Sequence, residues 1–163
     1  MIYAGGGNDT VWAGRGDDQI FGGAGDDRLY GQAGRDTITG GAGMDTMYAG
    51  ADQDRDVFVF TSRGDSAVGT RRDVIHEFSR GPSAENLSGD LIDLSGIDAN
   101  TSATAPGDQE FLFNGAKAVR NGIWYAAGTG EIIVRGDVNG DGKADIEIRV
   151  VGVSALTADS FLL

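Results

Sequence analysis

Five aspartates recur at every ninth residue near the start of the chain: Asp9, Asp18, Asp27, Asp36 and Asp45. Glycine stands two residues before each of them, and glycine enters positive φ cheaply, so each aspartate is expected to follow a tight turn. Carboxylates held a strand spacing apart cannot all stay ionised cheaply, and the turn carbonyls add negative potential. A divalent cation between successive turns resolves this conflict. The chemistry that the spacing predicts is therefore cation binding.

These aspartates belong to a nine-residue unit that repeats five times in unbroken frame from residue 4 to residue 48. Each unit has glycine fourth, aspartate sixth and an apolar residue eighth, and glycine is also second except at Gln32. The first six residues predict a turn. The last three, such as Gln19-Ile20-Phe21, predict a short strand with one residue pointing inward. Two units then make one coil, and stacked coils give an all-β fold built on a parallel β-roll.

Stacking places the odd-numbered units on one side of the roll and the even-numbered units on the other, so the aspartates form two files. Calcium fits best, since carboxylate and carbonyl oxygens are hard ligands and glycine turns can supply six or more of them. Pairing each unit with the next but one predicts three ions, and a fourth if unit four pairs with the acidic residues 52–56. The alternative is a set of solvated turns that bind nothing. The predicted ligands are Gly5, Gly7, Asp9, Gly14, Gly16, Asp18, Gly22, Gly23, Ala24, Gly25, Asp27, Gly31, Ala33, Gly34, Asp36, Gly40, Gly41, Ala42, Gly43, Asp45, Asp54 and Asp56.

The nonapeptide closely resembles the calcium-binding repeat of RTX (hemolysin-type) proteins. The resemblance covers residues 4–48 and rests on five consecutive matches at four fixed positions. It implies a parallel β-roll whose turns hold Ca²⁺.

Composition fits the metal-dependent, exported chain that the RTX resemblance implies. The 163 residues carry a formal net charge of -12 and no cysteine, so a secreted protein of this kind must be stapled by something other than disulfides. The acidity argues against a nucleic-acid partner, which calls for a clustered basic face. No apolar stretch of eighteen residues predicts a membrane span. We therefore expect a secreted, extracellular protein in which calcium is the staple.

The second half reads as a β-rich region with apolar residues alternating with polar ones. We expect a roll over residues 1–56 and a mainly antiparallel cap over residues 57–163, with loops at 81–89 and 99–107. The predicted strands are 56–60, 73–78, 90–94, 110–114, 123–126, 131–135 and 144–151.

Four segments of this half resemble the C-terminal domain of serralysin-type metalloproteases: Phe58-Val59-Phe60, Asp73-Val74-Ile75 with Phe78, residues 90–95 and residues 156–163. The resemblance implies that residues 57–163 cap the roll and that a type I secretion apparatus reads the extreme C-terminus. In that family an aspartate is followed directly by apolar residues, whereas here Ser160 comes between Asp159 and Phe161.

One further loop has oxygen side chains at the spacings of an EF-hand loop. Position 12 of that pattern is Ile148 instead of glutamate, and no helices are predicted around it. The other interpretation is a β-hairpin that turns at Asn139-Gly140 or Asp141-Gly142. A weak additional calcium site is therefore an alternative at Asp137, Asn139, Asp141, Lys143 and Asp145.

Catalytic patterns are not found in the sequence. His76 is the single histidine, which leaves no partner for a triad and no His-Glu-x-x-His zinc motif. The paired acids Asp17-Asp18 and Asp26-Asp27 fall inside the repeat, so calcium or turn roles are favoured over acid–base catalysis. We expect a non-catalytic chain that formed the C-terminal part of a larger secreted enzyme.

Aromatic residues close the odd-numbered units at Trp12, Tyr30 and Tyr48, one coil apart. They predict either a platform for sugar rings or rings that stack on one another. The first interpretation would make the chain a calcium-dependent polysaccharide-binding module, similar to the repeat modules of mannuronan C5-epimerases. A surface adhesin segment, in which calcium stiffens a spacer, is a further alternative.

Overall fold

The structure, a computed structural model, describes residues 1–80, 89–99 and 110–163. In these residues the fold consists of two β-sheets and one 3₁₀ turn, Ala158–Ser160. The strands are β1 (Ile2–Gly6), β2 (Thr10–Arg15), β3 (Gln19–Ala24), β4 (Arg28–Ala33), β5 (Thr37–Ala42), β6 (Thr46–Tyr48), β7 (Val57–Val59), β8 (Asp73–His76), β9 (Leu91–Asp93), β10 (Leu112–Phe113), β11 (Gly122–Ala127), β12 (Glu131–Gly136), β13 (Ile146–Val151) and β14 (Phe161–Leu162).

The repeat forms the predicted parallel roll. One sheet has the strand order β1-β3-β5-β7-β9-β14, and the other has the order β10-β11-β12-β13-β8-β6-β4-β2. Ile2 pairs with Ile20 and Val11 with Leu29, so one coil contains two nonapeptides. The all-β fold with a parallel roll is thus confirmed, and consecutive units alternate between the two sheets as the period requires.

Strands in the repeat are longer than the three residues predicted from each unit. Strand β3, for example, runs on from Phe21 through Gly23 to Ala24. The first three residues of a unit pair with the next coil as well, as in the Gly23–Gly41 register. Gly23 has a φ of 111°, and a Cβ there would overlap the carbonyl oxygen of Gly5 in the coil beneath. Glycine therefore extends the sheet, and the turn shrinks to positions four to six.

A single column of apolar side chains fills each side of the roll. Ile20, Leu29, Ile38 and Met47, the eighth residues of units two to five, are all fully buried. Burying one such side chain contributes roughly 1.5–3 kcal/mol. Because each strand sends only one side chain inward, the core is a narrow file that is stable only when coils stack on one another.

Both sheets continue across residue 56. Phe58 pairs with Ile38, twenty residues away, Ile75 pairs with Met47, and Ile92 pairs with Phe58. All three side chains are fully buried, so the inward columns carry on while the connections between strands lengthen.

Pairing in the second half is more parallel than predicted. In the described residues only β11, β12 and β13 form antiparallel pairs, whereas β7, β8, β9 and β14 join the roll in parallel. The physical reason is that these short strands extend existing parallel sheets, so the ladder already present sets their direction. The predicted loops at 81–89 and 99–107 lie almost entirely outside the described ranges. No helix among the described residues is long and apolar enough to cross a membrane.

Candidate metal centre

The repeat aspartates lie in two files joined by hydrogen bonds. The backbone N–H of Asp9 donates to Oδ1 of Asp27 at 2.7 Å, and the N–H of Asp27 donates to Oδ1 of Asp45 at 2.8 Å. On the other side the N–H of Asp18 donates to Oδ1 of Asp36 at 2.9 Å. Oδ1 of Asp27, Asp36 and Asp45 therefore ties each of these residues to the coil beneath, which fixes where Oδ2 points.

That second oxygen is buried and has no hydrogen-bond partner in the described structure. This holds for Oδ2 of Asp9, Asp27, Asp36 and Asp45. A buried polar atom left unpaired costs about 1–3 kcal/mol, and more if it is charged. Four equivalent atoms in the same state form a pattern that a bound cation would satisfy.

Glycine at the first position of a unit makes room beside this oxygen. A Cβ on Gly22 would lie 2.5 Å from Oδ2 of Asp27 and 2.6 Å from the carbonyl oxygen of Gly40. A Cβ on Gly31 would lie 2.5 Å from Oδ2 of Asp36 and 2.8 Å from the carbonyl oxygen of Ala49. A carboxylate oxygen and a carbonyl oxygen of the next coil thus approach the same glycine, and any side chain would displace them.

The donor set favours a hard cation. Nowhere in the described residues do three or more His, Asp or Glu side chains converge on one point. Any ion held by these turns must therefore take most of its ligands from backbone carbonyls. Ca²⁺ accepts six to eight oxygen ligands in flexible geometry, so glycine turns that carry one or two carboxylates suit it. The residues fit calcium on this ground.

Burial and neighbouring negative charges both raise the pKa of buried carboxyl groups in the files. Burial is the main cause that raises the pKa of Asp36 to about 6, and the neighbouring Asp18 raises it further. The pKa of Asp45 is also raised to about 6, by burial and then by Asp27. In both groups the hydrogen bond from the backbone lowers the pKa in part. Asp36 and Asp45 therefore hold protons at pH values where exposed aspartates are ionised.

The fifth residue of a unit adds a second line of contacts. Oδ1 of Asn8 accepts the N–H of Asp26, Oδ1 of Asp17 accepts that of Arg35, and Oδ1 of Asp26 accepts that of Met44. The paired acids of the sequence thus divide their work: the second acid of each pair joins a file, and the first braces the turn above or below it. Sequence reasoning did not find this role.

Only part of the acidic stretch after the last unit joins the second aspartate file. Asp56 is buried, its Oδ1 accepts the N–H of Asp36 at 2.8 Å, and burial raises its pKa to about 7. Asp54 is exposed and is not brought to the file. Instead, Oδ2 of Asp52 accepts the N–H of Gly34 at 2.9 Å. The second file therefore extends to Asp56 and not to Asp54.

Both files run beyond the residues that the nonapeptide predicted. Oδ1 of Asp73 accepts the N–H of Asp45, and Oδ1 of Asp90 accepts the N–H of Asp56, each at 2.9 Å. Sequence reasoning missed these two rungs because they follow long connections. The signal was present all the same, since Asp73 and Asp90 begin the Asp-x-apolar triplets that end each repeat unit.

The loop at 137–145 is the turn of the β12–β13 hairpin. Asp137 is fully buried, and its two carboxylate oxygens accept the N–H groups of Asn139, Gly140 and Gly142 at 2.8–3.1 Å. Oδ2 of Asp145 accepts the N–H of Val138 at 2.9 Å. The hairpin is confirmed, and the weak metal site there stays a prediction.

The unit-closing aromatic residues form a stacked row on the outer face. Trp12 and Tyr30 have ring centroids 5.6 Å apart, Tyr30 and Tyr48 are 4.4 Å apart, and Tyr48 and His76 are 4.7 Å apart, all within 12° of parallel. The predicted stacking is present, and His76 takes part in it through its contact with Tyr48. Trp12, at the free end of the row, remains 63% exposed.

The repeat that produces this geometry matches a known protein family. A family model described as the RTX calcium-binding nonapeptide repeat (4 copies) matches residues 1–29 and 21–56. The repeat region of the chain belongs to that family, and RTX nonapeptide repeats bind calcium. No curated protein sequence matches the chain.

Two solved structures share the fold. The AlgE6R3 subunit of the mannuronan C5-epimerase from Azotobacter vinelandii is 27% identical, with a TM-score of 0.63, over 96% of this chain and 78% of that one. The AlgE6R2 subunit of the same enzyme is 23% identical, with a TM-score of 0.52, over 96% of this chain and 92% of that one. The fold of these subunits is therefore shared over nearly the whole length of this chain.

The raised pKa values predict how the calcium-free protein responds to pH. The folded state keeps protons on Asp36, Asp45 and Asp56 that the unfolded state loses above its ordinary pKa of 3.8, so stability falls as pH rises from about 4 to about 7. Each group should contribute on the order of 1 kcal/mol or more. Circular dichroism in calcium-depleted buffer should show more folded protein and a higher unfolding temperature at pH 5 than at pH 8, where the calcium-free chain opens. The variant Asp45→Asn should reduce this slope, and an equal Tm at both pH values would contradict the prediction.

Proposed function

We propose that this chain is a non-catalytic calcium-binding RTX domain of a type I secreted protein, and that it folds when it meets extracellular calcium. The observation that carries the proposal is the set of buried, unpartnered Oδ2 atoms along the two aspartate files. RTX repeat proteins are typically secreted, which supports an extracellular setting.

In this proposal one ion lies between each unit and the next but one. Three ions then occupy units one with three, two with four and three with five, and each takes aspartate Oδ2 and carbonyl oxygens of the glycine turns. A fourth lies between unit four and Asp56, which stands on the second file as the fourth site requires. The loop at 137–145 is left outside this set, since its carboxylates already accept backbone N–H groups.

Calcium would act as a folding ligand. Without it, buried carboxylates and a net charge of -12 oppose the stacking of coils. With it, each site adds a free energy of RT ln(1 + [Ca²⁺]/Kd), which is about 1.4 kcal/mol when calcium is tenfold above Kd. Extracellular modules typically have Kd values of about 0.1–1 mM, well above cytosolic calcium. The chain would stay open inside the cell and close outside it.

Residues 57–163 would act as the cap from which the roll grows. Buried Phe58, Ile75 and Ile92 extend both apolar columns beyond the last repeat and give the coils a surface to stack on. The tail joins the same body, because Phe161 pairs with Ile92 in parallel. A tail that is read by an exporter while unfolded would thus become an edge strand after release.

A calcium titration tests the folding proposal. Far-UV circular dichroism and calorimetry should show structure and a rising Tm as calcium increases through the millimolar range, with much less effect from magnesium. Asp27→Asn should weaken folding more than Asp9→Asn, because Asp27 is fully buried within its file and is bonded to rungs on both sides. Both variants lose one charge, and Asp27→Asn keeps an oxygen for the bond that Oδ1 of Asp27 accepts from Asp9.

Full structure in the presence of a calcium chelator at neutral pH would contradict the proposal. An equal calcium response of Asp27→Asn and the wild type would contradict the assignment of the file.

The export proposal is tested at Leu162, which is 42% exposed in the folded chain. In a bacterium that carries a type I apparatus, Leu162→Asp should strongly reduce the amount of chain in the medium, because the apolar end of the tail is altered. Its Tm in calcium should change little, since the site is partly solvated. Leu112→Asp, at an apolar residue in β10 that is 66% exposed, serves as the control. Undiminished export of Leu162→Asp would argue against a C-terminal signal here.

A second candidate function is calcium-dependent polysaccharide binding. Two observations favour it: the exposed aromatic row that begins at Trp12, and the similarity to subunits of a mannuronan C5-epimerase. A flat, partly exposed row of rings offers an apolar face to sugar rings. Catalysis is not part of this candidate, because the chain would only hold the polymer.

Alginate binding measured by calorimetry in calcium tests this candidate. Trp12→Ala should lower the affinity at least about fivefold, because it removes the most exposed ring of the row, and roughly 1 kcal/mol of contact corresponds to that factor. Leu112→Ala, an exposed apolar residue outside the row, should bind as the wild type does. No measurable binding by the calcium-loaded wild type would remove the candidate.

A further inference from the structure

We propose that Asp73, which lies outside the nonapeptide repeats, forms one more calcium site at the end of the first aspartate file. The site lies between the turn of unit five and the segment of residues 61–72, which takes the place of a repeat turn. The inference rests on the proposed calcium function of the repeat aspartates and extends it to a residue that no repeat contains.

Asp73 reproduces the state of the repeat aspartates atom by atom. Its Oδ1 accepts the N–H of Asp45 at 2.9 Å, as Oδ1 of Asp45 accepts the N–H of Asp27. Its Oδ2 is buried without a hydrogen-bond partner in the described structure, and the residue as a whole is 0% exposed. Two residues later Ile75 takes the buried position that Met47 has in unit five. Asp73 is therefore a full rung of the file.

The two arginines that precede Asp73 in the sequence form their ion pairs with other acids, although Nε of Arg72 is buried without a hydrogen-bond partner. Nη2 of Arg71 lies 3.1 Å from Oδ1 of Asp26, and Nη2 of Arg72 lies 2.8 Å from Oε2 of Glu147. The charges that act most on Asp73 come from Asp45 and two further acids, so its surroundings are negative. A buried carboxylate in such a field calls for a positive partner that the described protein does not supply.

The other file ends differently, which gives an internal comparison. Oδ1 of Asp90 accepts the N–H of Asp56 at 2.9 Å, and its Oδ2 accepts the N–H of Ser79 at 2.7 Å. Both oxygens of Asp90 are satisfied by the protein. The first file thus ends in an open carboxylate oxygen and the second in a closed one, although both final rungs lie outside the repeat.

The segment before Asp73 is held in place by several bonds. The N–H of Asp73 donates to Oγ of the fully buried Ser66 at 2.8 Å. The N–H of Gly69 donates to Oε2 of Glu147, on strand β13, at 3.0 Å. Since no three acidic side chains converge in the described residues, the other ligands must be mainly carbonyl oxygens of this segment and of unit five. A hard, oxygen-seeking cation such as Ca²⁺ suits that set.

The test compares Asp73→Asn with Asp90→Asn in the full chain. Bound calcium is counted by equilibrium dialysis with elemental analysis, and Tm is measured with and without calcium. Asp73→Asn should bind one ion fewer than the wild type and gain less Tm from calcium. Without calcium it should be at least as folded as the wild type, because a buried carboxylate has been neutralised. Asp90→Asn should keep the wild-type ion count.

An unchanged ion count in Asp73→Asn, or the same loss in Asp90→Asn, would overturn the inference. If Asp73→Asn does not fold in calcium, Ser66→Ala gives the second test, since it releases the N–H of Asp73 without removing a carboxylate. It should weaken one calcium-binding event, and an unchanged isotherm would also overturn the inference. A wild type that binds no calcium would refute the proposed function itself, so the two failures can be told apart.

Discussion

At Asp27, Asp36, Asp45 and Asp73, one carboxylate oxygen is bonded to the neighbouring coil and the other is buried without a partner. The first oxygen sets the position, as in the bond from the N–H of Asp27 to Asp45. The second oxygen raises the free energy of the folded state, because the carboxylate is out of water and faces carboxylates above and below it. Stacking and charge therefore oppose each other at these rungs, and an agent that removes the charge favours the stack. Protons do so at acidic pH, and calcium can do so at neutral pH.

The apolar column explains why this conflict can be tolerated. One buried side chain per strand is too little for an isolated coil, so the coils must form a continuous stack. The stack continues through Phe58, Ile75 and Ile92 while the connections between strands become longer. The same column thus joins a strictly periodic segment to an irregular one, and the roll does not end where its repeat ends.

The outer faces show how a periodic sequence organises a surface. The same eighteen-residue spacing that aligns the aspartates also aligns Trp12, Tyr30 and Tyr48. The rings stack on one another and leave only the end of the row well exposed. A surface of this kind stabilises the sheet whether or not it also contacts a sugar polymer, so stacking by itself does not decide between these roles.

The sequence alone determined the roll, its register and the two aspartate files, because an exact nine-residue period constrains every coil in the same way. It also located the β12–β13 hairpin from its Asn-Gly and Asp-Gly turn. Where the period is lost, spacing along the chain no longer reports distance in space. Only the tertiary structure could show that Asp73, twenty-eight residues after Asp45, stands on the next rung, that Asp54 does not, and that most later strands pair in parallel. Those outcomes depend on how long connections fold back onto an existing sheet edge, and local sequence does not contain that information.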